Sequence, residues 1–188
     1  MIHEPGRPLP RRSIGLSPAC GARTEPELID RAAALIAALG LNPHPEGGYY
    51  GEVYRSSATV HPDDGRGPRS ALTTIHFLLP HGSVSRWHRV QSDEVWHFYE
   101  GAPLDLWMAS PEGDQATHYR LGPLEGAQRP VWTVPAGRWQ AARSTGSYTL
   151  VGCTVGPGFD FRDFALAGEQ SAIDSVIRAR HPALAELL

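Results

Sequence analysis

The sequence predicts an all-β fold, an antiparallel sandwich or barrel, on three observations. Short segments rich in β-branched and aromatic residues fill residues 47–158, among them "YYGEVYRS", "ALTTIHFLL" and "YTLVGCTV". Turn clusters such as "HPDDGRGP", "PHGS" and "STG" separate them, and the chain has 20 glycines and 17 prolines, more than average usage. No segment with a helical period interrupts this region, so about eight strands follow one another without helical crossovers.

Helical signals stand at both ends of the strand region. Residues 1–23 carry four prolines and four arginines with little apolar periodicity, which predicts a flexible arm. A helix is predicted to begin at Thr24, which forms a capping box with Glu27, and to end at Gly40. Its apolar stripe comprises Leu28, Ala32, Leu35, Ile36 and Leu39. The tail 169–188 is again helical in pattern, so residues 24–188 are predicted to form one domain with its barrel at about 47–158.

The composition excludes several classes of function. The net charge of −3 gives no electrostatic footprint for nucleic acid or for an anionic membrane. No apolar stretch is long enough for a membrane span, and none follows Arg11-Arg12 to make an export signal. Two distant cysteines, Cys20 and Cys153, make neither a disulfide framework nor a zinc site. We therefore expect a cytoplasmic protein that binds a small molecule.

The segment "GSVSRWHRVQSDEVWHFYEG" carries the main candidate site. Because residues two apart share a face of a strand, His88 and Val90 point the same way, as do Glu94, Trp96 and Phe98. If "RVQSD" is a hairpin turn, His88 and Glu94 meet inside the barrel above the two aromatic rings. A carboxylate beside an imidazole fixes the tautomer and raises its basicity, which suits a general base. The alternative is a half-buried ion pair that only holds a turn.

The spacing of this segment resembles the first motif of the cupins. Gly82, His88, Glu94 and Gly101 stand at the motif positions, and the one departure is Val90 in place of a second histidine. The second motif resembles "VPAGRWQAAR": Pro135 and Gly137 fit, whereas Gln140 occupies the histidine position and Arg129 that of the leading glycine.

Further blocks extend the resemblance over about residues 39–168. "LNPHPEGGYYGEVYRSS", "ALTTIHFLL" and "LVGCTVGPGFDFRDFALA" together resemble the small cupins described as predicted sugar epimerases. The resemblance implies a cupin jelly-roll β-barrel and a homodimer. Within it, "GPGFDFRDFALA" is expected to pack on the outside of the barrel rather than to touch substrate.

Cupins typically hold a metal with three histidines and a glutamate, and this chain keeps only His88 and Glu94, with Gln140 as a weak neutral donor. No cofactor is therefore expected. The alternative is a divalent metal held by His88, Glu94 and Gln140. His76 or His97 could restore the ligand count, but His97 should face the opposite side of its sheet from Glu94.

The resemblance also implies a metal-free chemistry. The dTDP-sugar epimerases of the rhamnose pathway use a barrel histidine as the base and a tyrosine as the acid, and His88 stands at the position of such a base. Tyr50 and Tyr54 are the first candidates for the acid because they share a face with Glu52. Aromatic packing between sheets is the alternative for either tyrosine.

The block "HPEGGYYGEVYR" predicts a second binding element. Glu46, Glu52 and Arg55 could bind hydroxyls or a phosphate, and Arg55 could grip two oxygens at once. The alternative is an edge strand in which Arg55 pairs with Glu52.

The sequence therefore predicts a metal-independent epimerase or isomerase for a sugar-like or carbonyl-bearing substrate. His88 would be the general base, oriented by Glu94, in a pocket lined also by Trp96, Phe98 and Gln140. The alternatives are a metal-dependent cupin oxygenase or lyase, and a ligand-binding protein without catalysis.

Overall fold

The structure, a computed structural model, describes residues 24–188, and the predicted arm at 1–23 lies outside the described residues. Two α-helices, α1 (Glu25–Leu39) and α2 (Ser171–Arg180), stand before and after the strands. Short 3₁₀ helices occupy Phe161–Asp163, Ala167–Glu169 and Pro182–Leu187. The strands are β1 (Asn42–Pro43), β2 (Tyr49–Arg55), β3 (Thr59–Val60), β4 (Arg69–Ser70), β5 (Thr73–Pro80), β6 (Val84–Val90), β7 (Asp93–Gly101), β8 (Leu104–Ala109), β9 (Ala116–Leu121), β10 (Val131–Val134), β11 (Trp139–Ser144), β12 (Tyr148–Gly156) and β13 (Phe164–Leu166).

Two antiparallel sheets face each other and form the barrel. The first has six strands in the order β1-β2-β5-β12-β7-β10, and the second has five in the order β13-β6-β11-β8-β9. β3 and β4 form a separate two-stranded ribbon. The non-consecutive neighbours, for example β12 between β5 and β7, are those of a jelly roll, so the predicted all-β cupin architecture is confirmed.

The two strands of the main motif lie in opposite sheets. β6 pairs with β11 and β13, whereas β7 pairs with β10 and β12. The hairpin considered for "RVQSD" does not form, because Gln91 and Ser92 connect strands of different sheets. His88 and Glu94 consequently enter the barrel from facing walls.

The largest cluster of buried apolar residues lies between the two sheets. This main core contains Phe77, Leu79, Trp96, Leu104, Leu106, Leu121, Val134, Ala142, Val151 and Cys153. The outer face of the second sheet has its own core, because the C-terminal helices cover Trp87, Trp107 and Trp139 there. The cavity described below borders the main core, because Phe77 and Cys153 belong to both.

Helix α1 follows its sequence signals closely. The Glu27 carboxylate accepts a hydrogen bond from the Thr24 backbone N–H at 2.7 Å, and Gly40 ends the helix with a left-handed φ of 61°. The predicted stripe packs on the first sheet: Ala32 and Leu35 are buried there, and Leu28, Ile36 and Leu39 lie against them.

Among residues 24–188, no helix combines the length and the apolar character that crossing a membrane requires.

Candidate functional site

The barrel encloses a cavity of about 410 Å³ that opens at one end. Its inner wall is buried and includes His88, Glu94 and Val90, which are 2%, 7% and 5% exposed. Its mouth is formed by more exposed side chains. The lining residues are His44, Glu46, Tyr50, Glu52, Arg55, Thr73, Ile75, Phe77, His88, Val90, Glu94, Cys153, Val155, Phe159, Asp160 and Phe161. This volume is within the range of ligand pockets, about 300–1,000 Å³.

A tight turn before β2 carries Glu46 into the inner end of the cavity. The amide of Gly47 donates to the carbonyl of His44 at 3.0 Å, and the amide of His44 donates to the carbonyl of Gly48 at 3.1 Å. Position 47 requires glycine, because its φ is 110° and a Cβ there would lie 2.1 Å from the carbonyl oxygen of Val84. The amide of Arg86 in turn donates to the Glu46 carbonyl at 2.8 Å, so β6 holds the turn in place.

His88 is in contact with Glu46 rather than with Glu94. Its Nε2 lies 3.3 Å from Glu46 Oε2, and its Nδ1 lies 2.8 Å from the carbonyl oxygen of Arg86. Since a carbonyl only accepts, Nδ1 carries a proton. The Nε2 side of the ring therefore faces the Glu46 carboxylate. Ser85 donates to the other oxygen, Oε1, at 2.8 Å.

His44 approaches the same carboxylate from a second direction. Its Nδ1 is 3.3 Å from Glu46 Oε2, and its side chain is only 6% exposed. The ring of His44 packs edge-on against Tyr50 and lies parallel to Phe161, at centroid distances of 4.7 and 5.9 Å. Two imidazoles therefore flank one buried carboxylate, and His44 was not predicted as a site residue although it opens the block "HPEGGYYGEVYR".

Glu94 faces this cluster and belongs to a different chain of hydrogen bonds. The indole N–H of Trp96 donates to Gln140 Oε1 at 3.0 Å, and Gln140 Nε2 donates to Glu94 Oε2 at 2.5 Å. Because an indole can only donate, the orientation of the Gln140 amide is determined. Gln140 thus positions Glu94, and both Gln140 and Trp96 are 1% exposed behind the cavity wall.

The two buried carboxyl groups have opposite pKa shifts. Burial favours the neutral form of both. For Glu46 this effect is outweighed by the charge of His88 and by bonds from His44 and Ser85, so its pKa is lowered from 4.5. For Glu94 burial dominates and the Glu46 charge adds to it, so its pKa is raised from 4.5 against the opposing effect of His88. Burial, with help from both carboxylates, also raises the pKa of the Cys153 thiol well above 9.0.

A bulge in β2 decides which side chains reach the mouth. Glu52 pairs with Ile75 and Tyr54 with Thr74, which leaves Val53 as an extra residue. The alternation is therefore reset after Glu52. Tyr54 is turned outward and is 53% exposed, whereas Tyr50, Glu52 and Arg55 line the cavity.

The segment after β12 forms the opposite side of the mouth. Phe159, Asp160 and Phe161 line the cavity, so the expectation that they pack only outside the barrel is wrong. Thr73 Oγ1 accepts from the Phe159 amide at 2.9 Å, and Arg55 donates to the Phe159 carbonyl at 3.1 Å. These bonds connect the segment to β5 and β2.

The side chains at the cupin metal positions do not fit a metal. Val90 offers no donor, and both ends of the Gln140 amide are engaged with Trp96 and Glu94. His76 cannot restore the set, because its neighbours Ile75 and Phe77 line the cavity and its own ring packs with Tyr99 on the outer face. His97 likewise alternates with the buried Trp96. In the described part of the chain, no group of three or more histidine, cysteine or carboxylate side chains is arranged to hold a metal ion.

The predicted site residues thus divide into three groups. His88, Glu94, Tyr50, Glu46, Glu52 and Arg55 line the cavity. Trp96 and Gln140 lie behind its wall, and Phe98 packs against the main core. Tyr54 faces outward. His44, Cys153 and the segment 159–161 were not predicted to line the site, although each lies in a quoted block, because nothing in those blocks shows which side chains face the interior.

Comparison with known proteins agrees with this architecture. The family model described as Cupin superfamily (DUF985) matches residues 33–167. A Shewanella oneidensis protein of known crystal structure is 36% identical, covering 84% of this chain and 96% of its own, with a TM-score of 0.71. A hypothetical protein from Leishmania major is 32% identical, covering 83% and 95%, with a TM-score of 0.70.

A more distant similarity concerns the fold alone. Oxalate decarboxylase from Bacillus subtilis is 15% identical, with a TM-score of 0.51, and the match covers 73% of this chain and 33% of the decarboxylase. A comparison with curated proteins gives no match. The jelly-roll topology, the partial cupin motifs and the family match over residues 33–167 together show that this chain belongs to the cupin superfamily, in the family DUF985.

Proposed function

We propose that this cupin binds a small carbonyl-bearing, sugar-like compound and catalyses its epimerisation or isomerisation without a metal. His88 is the general base, and it works as a pair with Glu46. The reaction moves a proton from the carbon beside the carbonyl to the His88–Glu46 pair and returns one to the same or to the neighbouring carbon.

The contact between His88 and Glu46 carries the proposal. It is buried, it lines the cavity, and its 3.3 Å separation is longer than a strong charged hydrogen bond of about 2.7–2.9 Å. A polar group of a ligand can therefore compete with Glu46 for the Nε2 side of His88. The second bond of His88, to the Arg86 carbonyl, keeps the ring orientation while this happens.

Glu94 supports the proposal as the acid on the opposite wall. A carboxyl whose pKa is raised holds its proton nearer to neutral pH and can donate it to a developing enolate oxygen. Two carboxyl groups whose environments move their pKa values apart are the usual sign of an acid and a base in one site. Glu46 and Glu94 form such a set on either side of the cavity.

Tyr50 is the remaining candidate for returning the proton. Its ring lines the cavity and packs on His44, so its hydroxyl can reach a ligand from the mouth side. Imine catalysis by a lysine is excluded, because the sequence contains no lysine.

The test is exchange of the proton beside the carbonyl with deuterium from D₂O, followed by NMR for a panel of aldoses and ketoses. The wild-type protein should catalyse exchange for at least one member, and His88→Ala should slow it by at least about 100-fold. The matched control is His81→Ala, since His81 is exposed and does not line the cavity. Undiminished exchange in His88→Ala would reject the assignment.

A ligand-binding protein without catalysis is the second candidate. One observation favours it: both ring nitrogens of His88 already have partners within the protein. Binding of a sugar without any exchange in D₂O would select this candidate. Homodimer formation and a cytoplasmic location stay predictions.

A further inference from the structure

The cavity has an excess of acidic side chains. Its lining includes four carboxyl groups and one guanidinium, those of Glu46, Glu52, Glu94, Asp160 and Arg55. Glu46 and Glu94 lie at the buried inner end, whereas Glu52 and Arg55 lie at the mouth with side chains 43% and 44% exposed. Any ligand that enters therefore moves toward two carboxyl groups, one of them flanked by the imidazoles of His44 and His88, and away from the guanidinium.

All three nitrogens of Arg55 already donate a hydrogen bond. Its Nε and Nη2 donate to Glu52 Oε2 at 3.2 and 2.7 Å, and its Nη1 donates to the Phe159 carbonyl at 3.1 Å. A bound phosphate or carboxylate would use these same guanidinium donors. Glu52 therefore takes the place of an anionic ligand group, and Arg55 connects β2 to the segment 159–161.

The other acid at the mouth keeps its negative charge. Arg162 donates to both oxygens of Asp160, at 3.0 and 2.6 Å, and these bonds lower the pKa of that carboxyl. Arg162 itself is not among the residues that line the cavity. An anionic ligand at the mouth would thus meet Asp160 and Glu52, and the one guanidinium among the lining residues, that of Arg55, is engaged with Glu52.

The rest of the mouth is aromatic. Tyr50, Phe159 and Phe161 line it, and Phe161 is 51% exposed although it is a large apolar side chain. Phe159 and Phe161 meet edge-to-face at 5.0 Å. Flat apolar surfaces beside carboxylate acceptors suit a ring that has C–H faces and outward hydroxyl groups.

We infer that the ligand is an uncharged polyhydroxy carbonyl compound of single-sugar size, and that phosphorylated and nucleotide-linked sugars are excluded by the carboxylates. This inference rests on the proposed function, which makes the cavity a sugar-binding site, but it concerns the charge and size of the ligand rather than catalysis. Carboxylates accept hydrogen bonds from hydroxyls and repel phosphate, and like charges brought together at a binding site weaken binding by several powers of ten in the affinity constant.

The experiment measures affinity for matched pairs by isothermal titration calorimetry. D-fructose is compared with D-fructose 6-phosphate, D-glucose with D-glucose 6-phosphate, and inorganic phosphate and UDP-glucose serve as further anionic probes. At least one neutral sugar should bind at least about 100-fold more tightly than its phosphate ester. A phosphate ester or UDP-glucose that binds as tightly as the neutral sugar, or a panel in which no neutral sugar binds, would overturn the inference.

Two variants test the role of Arg55 directly. Glu52→Gln frees Arg55 and should strengthen binding of the phosphate ester about tenfold relative to the neutral sugar. Glu186→Gln is the matched control, because it frees Arg143 from a similar exposed pair, 2.6 Å in length, that lies outside the cavity. An unchanged ratio in Glu52→Gln would contradict the assignment of Arg55.

The D₂O exchange assay separates this inference from the proposed function. Neutral sugars that bind without exchange support the inference and reject catalysis. Phosphorylated sugars that bind tightly and exchange support catalysis and reject the inference.

Discussion

Replacing Gly47 by alanine should destabilise the protein through a contact that the turn before β2 makes with β6. The residue has φ of 110°, and its added Cβ would lie 2.1 Å from the Val84 carbonyl oxygen, where ordinary contact begins at 3.4 Å. The positive φ alone costs about 1–2 kcal/mol, and overpacking adds about 1–3 kcal/mol. The expected loss is therefore about 2–5 kcal/mol, which corresponds to a fall in Tm of about 4–20 °C.

Gly82→Ala is the matched control. Gly82 also has a positive φ, 74°, but nothing lies within 4 Å of a Cβ built there. It should therefore lose only about 1–2 kcal/mol, the backbone part of the effect. Urea unfolding of both variants, with the slope m checked for each, measures the difference. Equal losses in the two variants would refute the argument that close approach to Val84 requires glycine at position 47.

Three further predictions concern the buried polar groups. Glu94→Gln should stabilise the protein near neutral pH but not below pH 4.5. The raised native pKa of Glu94 means that the stability of the wild-type protein declines as the pH rises above the ordinary pKa of 4.5, and glutamine does not titrate. Urea titrations at several pH values check this, and no gain at neutral pH would contradict it. Glu46→Gln should destabilise the protein near neutral pH, because the lowered native pKa of Glu46 stabilises the wild-type protein above pH 4.5. That stabilisation is lost as the pH falls through the native pKa, so a loss of stability in the variant that persists unchanged in acid would count against the prediction. Trp96→Phe leaves buried Gln140 Oε1 without its donor and should cost about 1–3 kcal/mol in urea unfolding, beyond any packing loss; stability equal to wild type would show that the bond contributes nothing.

The helix signals and the strand pattern were predictable because they depend on local chemistry. Thr24, Glu27 and Gly40 act on their own helix ends, and the alternation of Trp96 with His97 holds wherever β7 lies in the barrel. The same alternation failed in β2, where Val53 inserts a bulge and sends Tyr54 outward. Bulges depend on the pairing of neighbouring strands, which no local pattern contains.

The partner of His88 shows the same limit at the site itself. Sequence proximity favoured Glu94, but the chain crosses from one sheet to the other within the five residues between it and His88. Glu46, which lies 42 residues before His88 in the chain, reaches it because the turn at 44–48 is held against β6. Of these two glutamates, the one nearer in sequence was therefore not the one in contact.

The sequence by itself determined the class of fold, the family resemblance, the helix ends and the loss of two cupin metal ligands, since each of these follows from residue types at fixed spacing. Only the tertiary structure decided that His88 contacts Glu46, that Gln140 donates to Glu94, and that the segment 159–161 forms one side of the mouth. These contacts join strands of different sheets and distant loops. Their geometry follows from how the sheets pack across the barrel, and that packing is a property of the whole chain.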